Sequence, residues 1–264
     1  MHAFKYHRAS SVNEAAALAA KGEAKLLAGG QTLVQTMKLR LASPSDVVDL
    51  GSVKELAGIK AGSSEITIGA MTRHAEVANS ADVKKAIPAL AALAGQIGDR
   101  QVRAMGTLGG SLANNDPAAD YPAAVLGLGA TVVTNKRKIA ADDFFKGMFE
   151  TALQAGEIIT AVSFPVPKRA AYTKFKNQAS RFAIVGVFVA DTGNGVRVAV
   201  TGASPSVFRQ KDMEKALASK FDPSSVATIK QKADGLNTDL HAGAEYRAHL
   251  VTVMAKRAVE AAMK

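Results

Sequence analysis

Two Gly-Gly pairs, Gly29-Gly30 and Gly109-Gly110, each set among small and polar residues, constrain this chain more than any other feature. The second pair lies in Thr107-Leu-Gly-Gly-Ser-Leu-Ala-Asn-Asn-Asp-Pro-Ala-Ala-Asp120. Side chains this small let a backbone lie directly against a ligand, and paired glycines take positive φ freely. Consecutive amides in such a turn converge into an anion-binding concavity, as does the start of a helix. Asp120 is a good N-cap and Pro122 falls where a first-turn proline is tolerated, so a helix is expected over 121–128. Taken alone, the segment reads equally as a loop that cradles phosphates and as a tight surface turn.

The first pair lies in Lys25-Leu-Leu-Ala-Gly-Gly-Gln-Thr-Leu33. This reads as a short buried strand, a two-glycine turn and a polar pair leading into an apolar turn. Again a strand delivers glycines to a place where amides can face an anion. Two such turns, far apart in sequence, suit a ligand whose pyrophosphate is gripped from two sides.

Composition narrows the chemistry. With 264 residues, a sizeable core is available to one large domain or to two or three small ones. Cysteine is absent, which excludes disulfides, a cysteine nucleophile, zinc–thiolate sites and iron–sulfur clusters held by this chain. The five His, at 2, 7, 74, 241 and 249, show no tight ligand spacing, so no metal site is expected. The N-terminus lacks the apolar core of a signal peptide, and the longest apolar stretches are too short or too interrupted to span a bilayer. The expectation is a soluble, cytoplasmic protein with no membrane span.

The net charge is +10, with 13 basic against 11 acidic residues up to Thr134 and 20 against 12 after it. An excess of this kind attracts nucleic acid, an acidic partner or a phosphate-bearing ligand. The basic residues are scattered apart from Lys136-Arg137-Lys138, and no aromatics interleave with them. A solvated or partner-facing surface is therefore expected, not a nucleic-acid site.

Along the chain, strands are expected at 4–6, 25–28 and 47–50, with helices at 11–21, opened by the capping-box pattern Ser11-Val-Asn-Glu14, and at 33–39. This β-α-β arrangement makes a first subdomain, 1–55. A second, 56–168, has strands at 65–69, 131–134 and 157–164, a short helix capped by Thr72 and running through Val77, an apolar helix at 87–97, and a connection at 101–106 into the second glycine segment. Asp142-Asp143 reads as a helix cap. Pro165 and Pro167 mark the end of this subdomain. A third part, 169–264, has antiparallel strands at 172–175, 184–190 and 196–201 with a hairpin turn at 191–195. Helices follow, one started by Asp222-Pro223, the last with Tyr246, Leu250, Val253, Met254 and Ala258 on one face. The fold class is α+β.

Both glycine segments resemble the loops of the flavin-binding medium subunits of molybdenum hydroxylases, the group of xanthine dehydrogenase, aldehyde oxidoreductase and aerobic carbon monoxide dehydrogenase. In that family an A-G-G-(H/Q/N)-(S/T) loop and a T-(I/L)-G-G-(S/N) loop bind FAD. The likeness continues through Lys174-Phe-Lys-Asn-Gln-Ala-Ser-Arg181 to Glu245-Tyr-Arg-Ala-His-Leu250. It implies a two-subdomain FAD-binding fold (PCMH-like) followed by a C-terminal domain of a small antiparallel sheet plus helices.

The resemblance further implies a set of FAD contacts. Lys25, Leu26, Leu27, Ala28, Gly29, Gly30, Gln31, Thr32 and Leu33 run along the pyrophosphate. Thr107, Gly109, Gly110 and Ser111 close the other side, with Gly106 and Ala113 beside them. Asn114 reaches the phosphate or ribitol, and Asp120 accepts from an adenosine ribose hydroxyl. Ile97, Val102 and Ile159 supply apolar walls, and Lys176 lies near the flavin or adenine edge. Where xanthine dehydrogenases carry a longer charged loop, this chain has only Ser180-Arg-Phe-Ala183, a departure that counts against NAD as acceptor.

No catalytic residues are nominated, because any chemistry belongs to the flavin. The implied partners are a small [2Fe–2S] subunit, a large molybdenum-cofactor subunit and an external electron acceptor. On the residues alone two other classes stay open. One is a self-sufficient FAD-dependent oxidase or dehydrogenase of similar fold, which would need an acid–base group over the flavin. The other is a cofactor-free polyanion-binding protein, suggested by the charge.

Overall fold

The computed structural model describes residues 1–264 and contains three sheets plus one short hairpin. The first sheet is parallel, with Asp46–Asp49 between Lys5–Arg8 and Lys25–Leu27. Its crossover helix Val12–Ala19 starts where Ser11 accepts the Glu14 amide, while the Glu14 carboxylate accepts from the amide of Ser10 rather than that of Ser11. Val48, Leu50, Val53 and Leu56 from this part pack with Ala9, Ala15 and Ile158.

The second sheet has five antiparallel strands in the order Ile59–Ala61, Glu65–Gly69, Ile159–Pro165, Thr131–Thr134 and Lys138–Ala140. Its central strand comes last in sequence and closes the unit. Between Gly69 and Thr131 the chain is helical: His74–Asn79, Ala81–Ala86, Pro88–Gly95, Arg100–Met105, Leu108–Asn114 and Tyr121–Leu128. Helix Tyr121–Leu128 is buried along its whole length.

Several elements differ from the sequence expectation. Thr72 caps no helix, because its hydroxyl is bonded to both the amide and the carbonyl of Gly58, and the helix begins at His74 with Glu76 accepting from the Arg73 amide. The 101–106 connection is itself a helix, capped by Asp99. The apolar 87–97 run is helical only over Pro88–Gly95. Asp142 caps nothing and instead bridges Arg197, at 2.7 Å, and Arg209, at 3.0 Å.

The third sheet is an antiparallel meander of Arg169–Lys176, Ala183–Asp191, Val196–Thr201 and Phe208–Arg209. Both faces are covered, which explains the almost unbroken apolar run of its second strand. Val185, Val187 and Val189 pack on the last helix, Ala244–Ala262, against Leu250, Val251, Met254, Ala255, Ala258 and Val259. Phe188 and Ala190 point the other way and join the core of the second sheet and its helices. Of the expected face of the last helix, Leu250, Met254 and Ala258 are buried and Val253 is half-buried, whereas Tyr246 stays 46% exposed. No helix is long and apolar enough to cross a membrane.

Candidate functional site: a cleft between the glycine segments

The two glycine segments meet across a cleft of about 890 Å³. That is near the upper end of the roughly 300–1,000 Å³ typical of small-molecule and cofactor sites. Strand Lys25–Leu27 runs into Ala28-Gly29-Gly30, then into helix Leu33–Lys38. Gly30 has φ +70°, a conformation a side chain would strain. A Cβ at Gly29 would lie 2.1 Å from the Met105 carbonyl oxygen and 2.7 Å from Cα of Gly106. Here backbone touches backbone across the cleft floor, so only glycine fits.

The amides of Gly30, Gln31, Thr32 and Leu33 donate to no acceptor in the chain, while the carbonyls of Gly30 and Thr32 already accept from Val34 and Thr36. All four residues line the cleft. A run of unpaired amides at the start of a helix is the arrangement that takes a phosphate.

The second segment is built differently from the expected turn. Thr107 is the extended N-cap of helix Leu108–Asn114, and Gly109 and Gly110 form its first turn without positive φ. Their amides are spent internally: Leu108 donates to Thr72, Gly109 to Ala70, Gly110 to the Thr107 hydroxyl and Ser111 to the Thr107 carbonyl. Gly109 is small because a Cβ would sit 2.6 Å from that of Ala70, and one at Gly110 would sit 2.9 Å from the Thr107 hydroxyl. This side therefore offers the side chains of Ser111 and Asn114, both at the cleft, in place of a row of amides.

Of the residues nominated from sequence, all except Leu27 and Lys176 line this cleft, Ile97, Val102 and Ile159 among its apolar walls. Leu27 packs behind Gly30. Lys176 is solvent-exposed, at the last residue of its strand, where the pairing register with the next strand shifts.

Asp120 lines the cleft but is not a helix cap: its backbone is helical and its side chain bonds no amide. Instead it accepts from Tyr172 Oη at 2.5 Å and Lys174 Nζ at 3.0 Å. Burial pushes its carboxyl upward, against Lys174 and the Tyr172 hydrogen bond, which favour the charged form. A carboxylate has about four acceptor sites, so two remain for a ligand hydroxyl.

Other residues at the cleft were not nominated from sequence, although the Ser180–Ala183 segment was noted there. His74 is 5% exposed, and burial, then the nearby Arg103, lower its pKa to about 4, so the imidazole is neutral. Its amide donates to the Gly106 carbonyl and its ring packs under Gly106, fixing the lower edge of the second segment. Glu157 is buried in the cleft wall, accepting from Arg137, Thr134 and the Gln154 amide. Phe149, Arg181 and Phe182 stand at the mouth. No group of three or more His, Asp or Glu is placed to hold a metal ion.

The cleft fits FAD on these observations: unpaired amides for a pyrophosphate, a carboxylate with unused acceptor sites at its lining, and apolar walls. Residues 2–167 match the family described as FAD binding domain in molybdopterin dehydrogenase, and residues 170–262 that described as CO dehydrogenase flavoprotein C-terminal domain. A nicotine 6-hydroxylase medium subunit from Paenarthrobacter nicotinovorans is 36% identical over 272 residues, covering 97% of this chain and 96% of that protein. A carbon monoxide dehydrogenase medium chain from Hydrogenophaga pseudoflava is 35% identical over 277 residues, covering 98% and 96%. The solved structure of reconstituted CO dehydrogenase from Oligotropha carboxidovorans contains a chain with a TM-score of 0.92 at 32% identity, covering 99% of this chain and 98% of that one. Across its whole length, then, this chain belongs to the family of FAD-binding medium subunits of molybdenum hydroxylases.

Proposed function

We propose that the chain holds one FAD non-covalently in this cleft and works as the electron-transfer subunit of a heteromeric molybdenum hydroxylase. Electrons arrive from [2Fe–2S] clusters on a small subunit, are drawn there from a large molybdenum-cofactor subunit, and leave to an external acceptor. The observation that carries the reading is the run of unpaired amides from Gly30 to Leu33 at the cleft. When bound, FAD supplies both two-electron and one-electron transfer.

The chain's own residues position it. The Gly30–Leu33 amides take the pyrophosphate, Ser111 and Asn114 close over it, and Asp120 accepts a ribose hydroxyl while held by Tyr172 and Lys174. Lys174 replaces Lys176 as the cation beside the site. The division 1–55, 56–168 and 169–264 puts one glycine segment in each of the first two units. The chain has no cysteine, so thiolate-held clusters belong to another subunit.

The test is anaerobic flavin bleaching. Purified chain with FAD is expected to be reduced by dithionite but by no aldehyde, purine, N-heterocycle or carbon monoxide. Reduction by the substrate of the large subunit appears only with both partner subunits present. Rapid bleaching of the lone chain by any of these would make it an enzyme in its own right.

A further inference from the structure

The hairpin Phe145–Gly147/Glu150–Thr151 ends in Met148 and Phe149 at the cleft mouth. Phe149 has φ +56°, a region a bulky residue rarely enters. The residue is 58% exposed, so it gains little from the core in return. Met148, beside it, is 51% exposed but lies outside the cleft, whereas Phe149 lines it. Of the two tip residues, only the aromatic one therefore lines the cleft.

What holds the tip is Asn115, which is 1% exposed and ends helix Leu108–Asn114 in a left-handed conformation, φ +42°. Its Nδ2 donates to the carbonyls of Gly147 and Glu150, each at 2.8 Å, and its own carbonyl accepts from the Phe149 amide at 3.1 Å. The aromatic ring is thus tied to the helix that carries Ser111 and Asn114. Strained backbone held by a buried polar anchor is a recurring feature of ligand clamps.

From this geometry we infer that Phe149 is an aromatic wall against which a planar heteroaromatic ring of FAD stacks, with Asn115 as its positioning residue. The inference rests on the FAD reading above. A pre-placed aromatic face gains stacking and excludes water without having to be ordered on binding.

The experiment measures FAD binding by full-length chain, alone and assembled with its partner subunits, using flavin fluorescence and visible circular dichroism. Phe149→Ala is expected to raise the FAD Kd about tenfold or more, the scale for loss of one base-stacking aromatic. Phe149→Tyr is expected to restore it. A changed visible dichroism means the stacked ring is isoalloxazine; an unchanged one with the same Kd loss means adenine.

Asn115→Gly keeps the left-handed conformation but removes the clamp, and should weaken FAD to a similar degree. In the double variant the two losses should not add, because both act through one ring. Additive losses would mean that Asn115 acts on general stability alone. Wild-type affinity and dichroism in Phe149→Ala, or a defect confined to subunit assembly, overturn the inference. Absence of FAD from the wild-type chain would instead count against the proposed function.

Discussion

The ammonium of Lys174 lies 3.0 Å from the carboxylate of Asp120, and the two side chains are 2% and 4% exposed. Lys174 sits on the first strand of the third sheet and Asp120 immediately before helix Tyr121–Leu128, so the pair pins the C-terminal part to the cleft. Lys174 also donates to the Gln96 carbonyl. Gly186 makes room for the third member, since a Cβ there would lie 2.3 Å from Tyr172 Oη.

Removing Lys174 leaves a buried carboxylate without its counter-ion, and breaking such a pair costs about 3–5 kcal/mol. Lys174→Met is therefore expected to shift the urea midpoint strongly at unchanged slope, and Tyr172→Phe to cost a smaller ~1–3 kcal/mol. In Asp120→Asn/Lys174→Met much of the loss should return, because no charge is then stranded. Equal destabilisation in the single and double lysine variants would show that packing, not the charge, is what Lys174 supplies.

Glycine substitutions separate two reasons for smallness. Gly29→Ala drives a methyl group into the Met105–Gly106 backbone, which has no rotamer by which to yield, and overpacking of this kind costs about 1–3 kcal/mol or more. Gly30→Ala forces a side chain into φ +70°, at roughly 1–2 kcal/mol. Gly243→Ala meets nothing within 4 Å at a negative φ and serves as the control. The flavin-to-protein absorbance ratio should fall in the first two and hold in the third, with the thermal midpoint dropping most for Gly29→Ala. Full flavin content in both cleft variants would remove the first glycine segment from the site.

The first glycine turn was legible because its signals are local: a strand, a positive-φ glycine and a helix start follow one another within nine residues, 25–33. The second segment misled for a specific reason. Gly109 is small because Ala70 lies against it and Gly110 because the Thr107 hydroxyl does, and smallness alone does not say whether a neighbouring atom belongs to a ligand or to the protein. Asp120 reads as a cap because Asp before Tyr-Pro is the usual cap signature, but Tyr172 and Lys174, more than fifty residues away, claim its carboxylate. Lys176 and Lys174 look equivalent in sequence; what distinguishes them is that Lys174 meets Asp120 and the Gln96 carbonyl, both distant in sequence, while Lys176 ends its strand in solvent. Asn115 and Phe149 are linked by hydrogen bonds spanning more than thirty residues, and nothing in either local sequence announces the pairing.

Two buried groups predict how the flavin-free chain responds to acid, in adjoining pH intervals. His74 has its pKa lowered from 6.5 to about 4. Between those values the unfolded chain binds a proton that the folded chain refuses, so stability falls as pH drops from 6.5 to 4. Glu157 is lowered from 4.5 to about 2, first by its hydrogen bond from Arg137, against the cost of burial, with the Gln154 amide and the Thr134 hydroxyl adding to it. Its contribution is complete above pH 4.5 and is lost as pH falls toward 2, again because the unfolded carboxylate protonates first. At 1.36 kcal/mol per pKa unit each group contributes at most about 3–4 kcal/mol, and less for Glu157 because Arg137 is 42% exposed and screened. Urea midpoints measured across pH should therefore decline in two overlapping steps. His74→Gln is expected to flatten the step between 6.5 and 4, and Glu157→Gln the step below 4.5, each leaving the other in place. If His74→Gln kept the wild-type slope between pH 6.5 and 4, the imidazole would have to be solvated in the folded chain, and its place beneath Gly106 would be wrong.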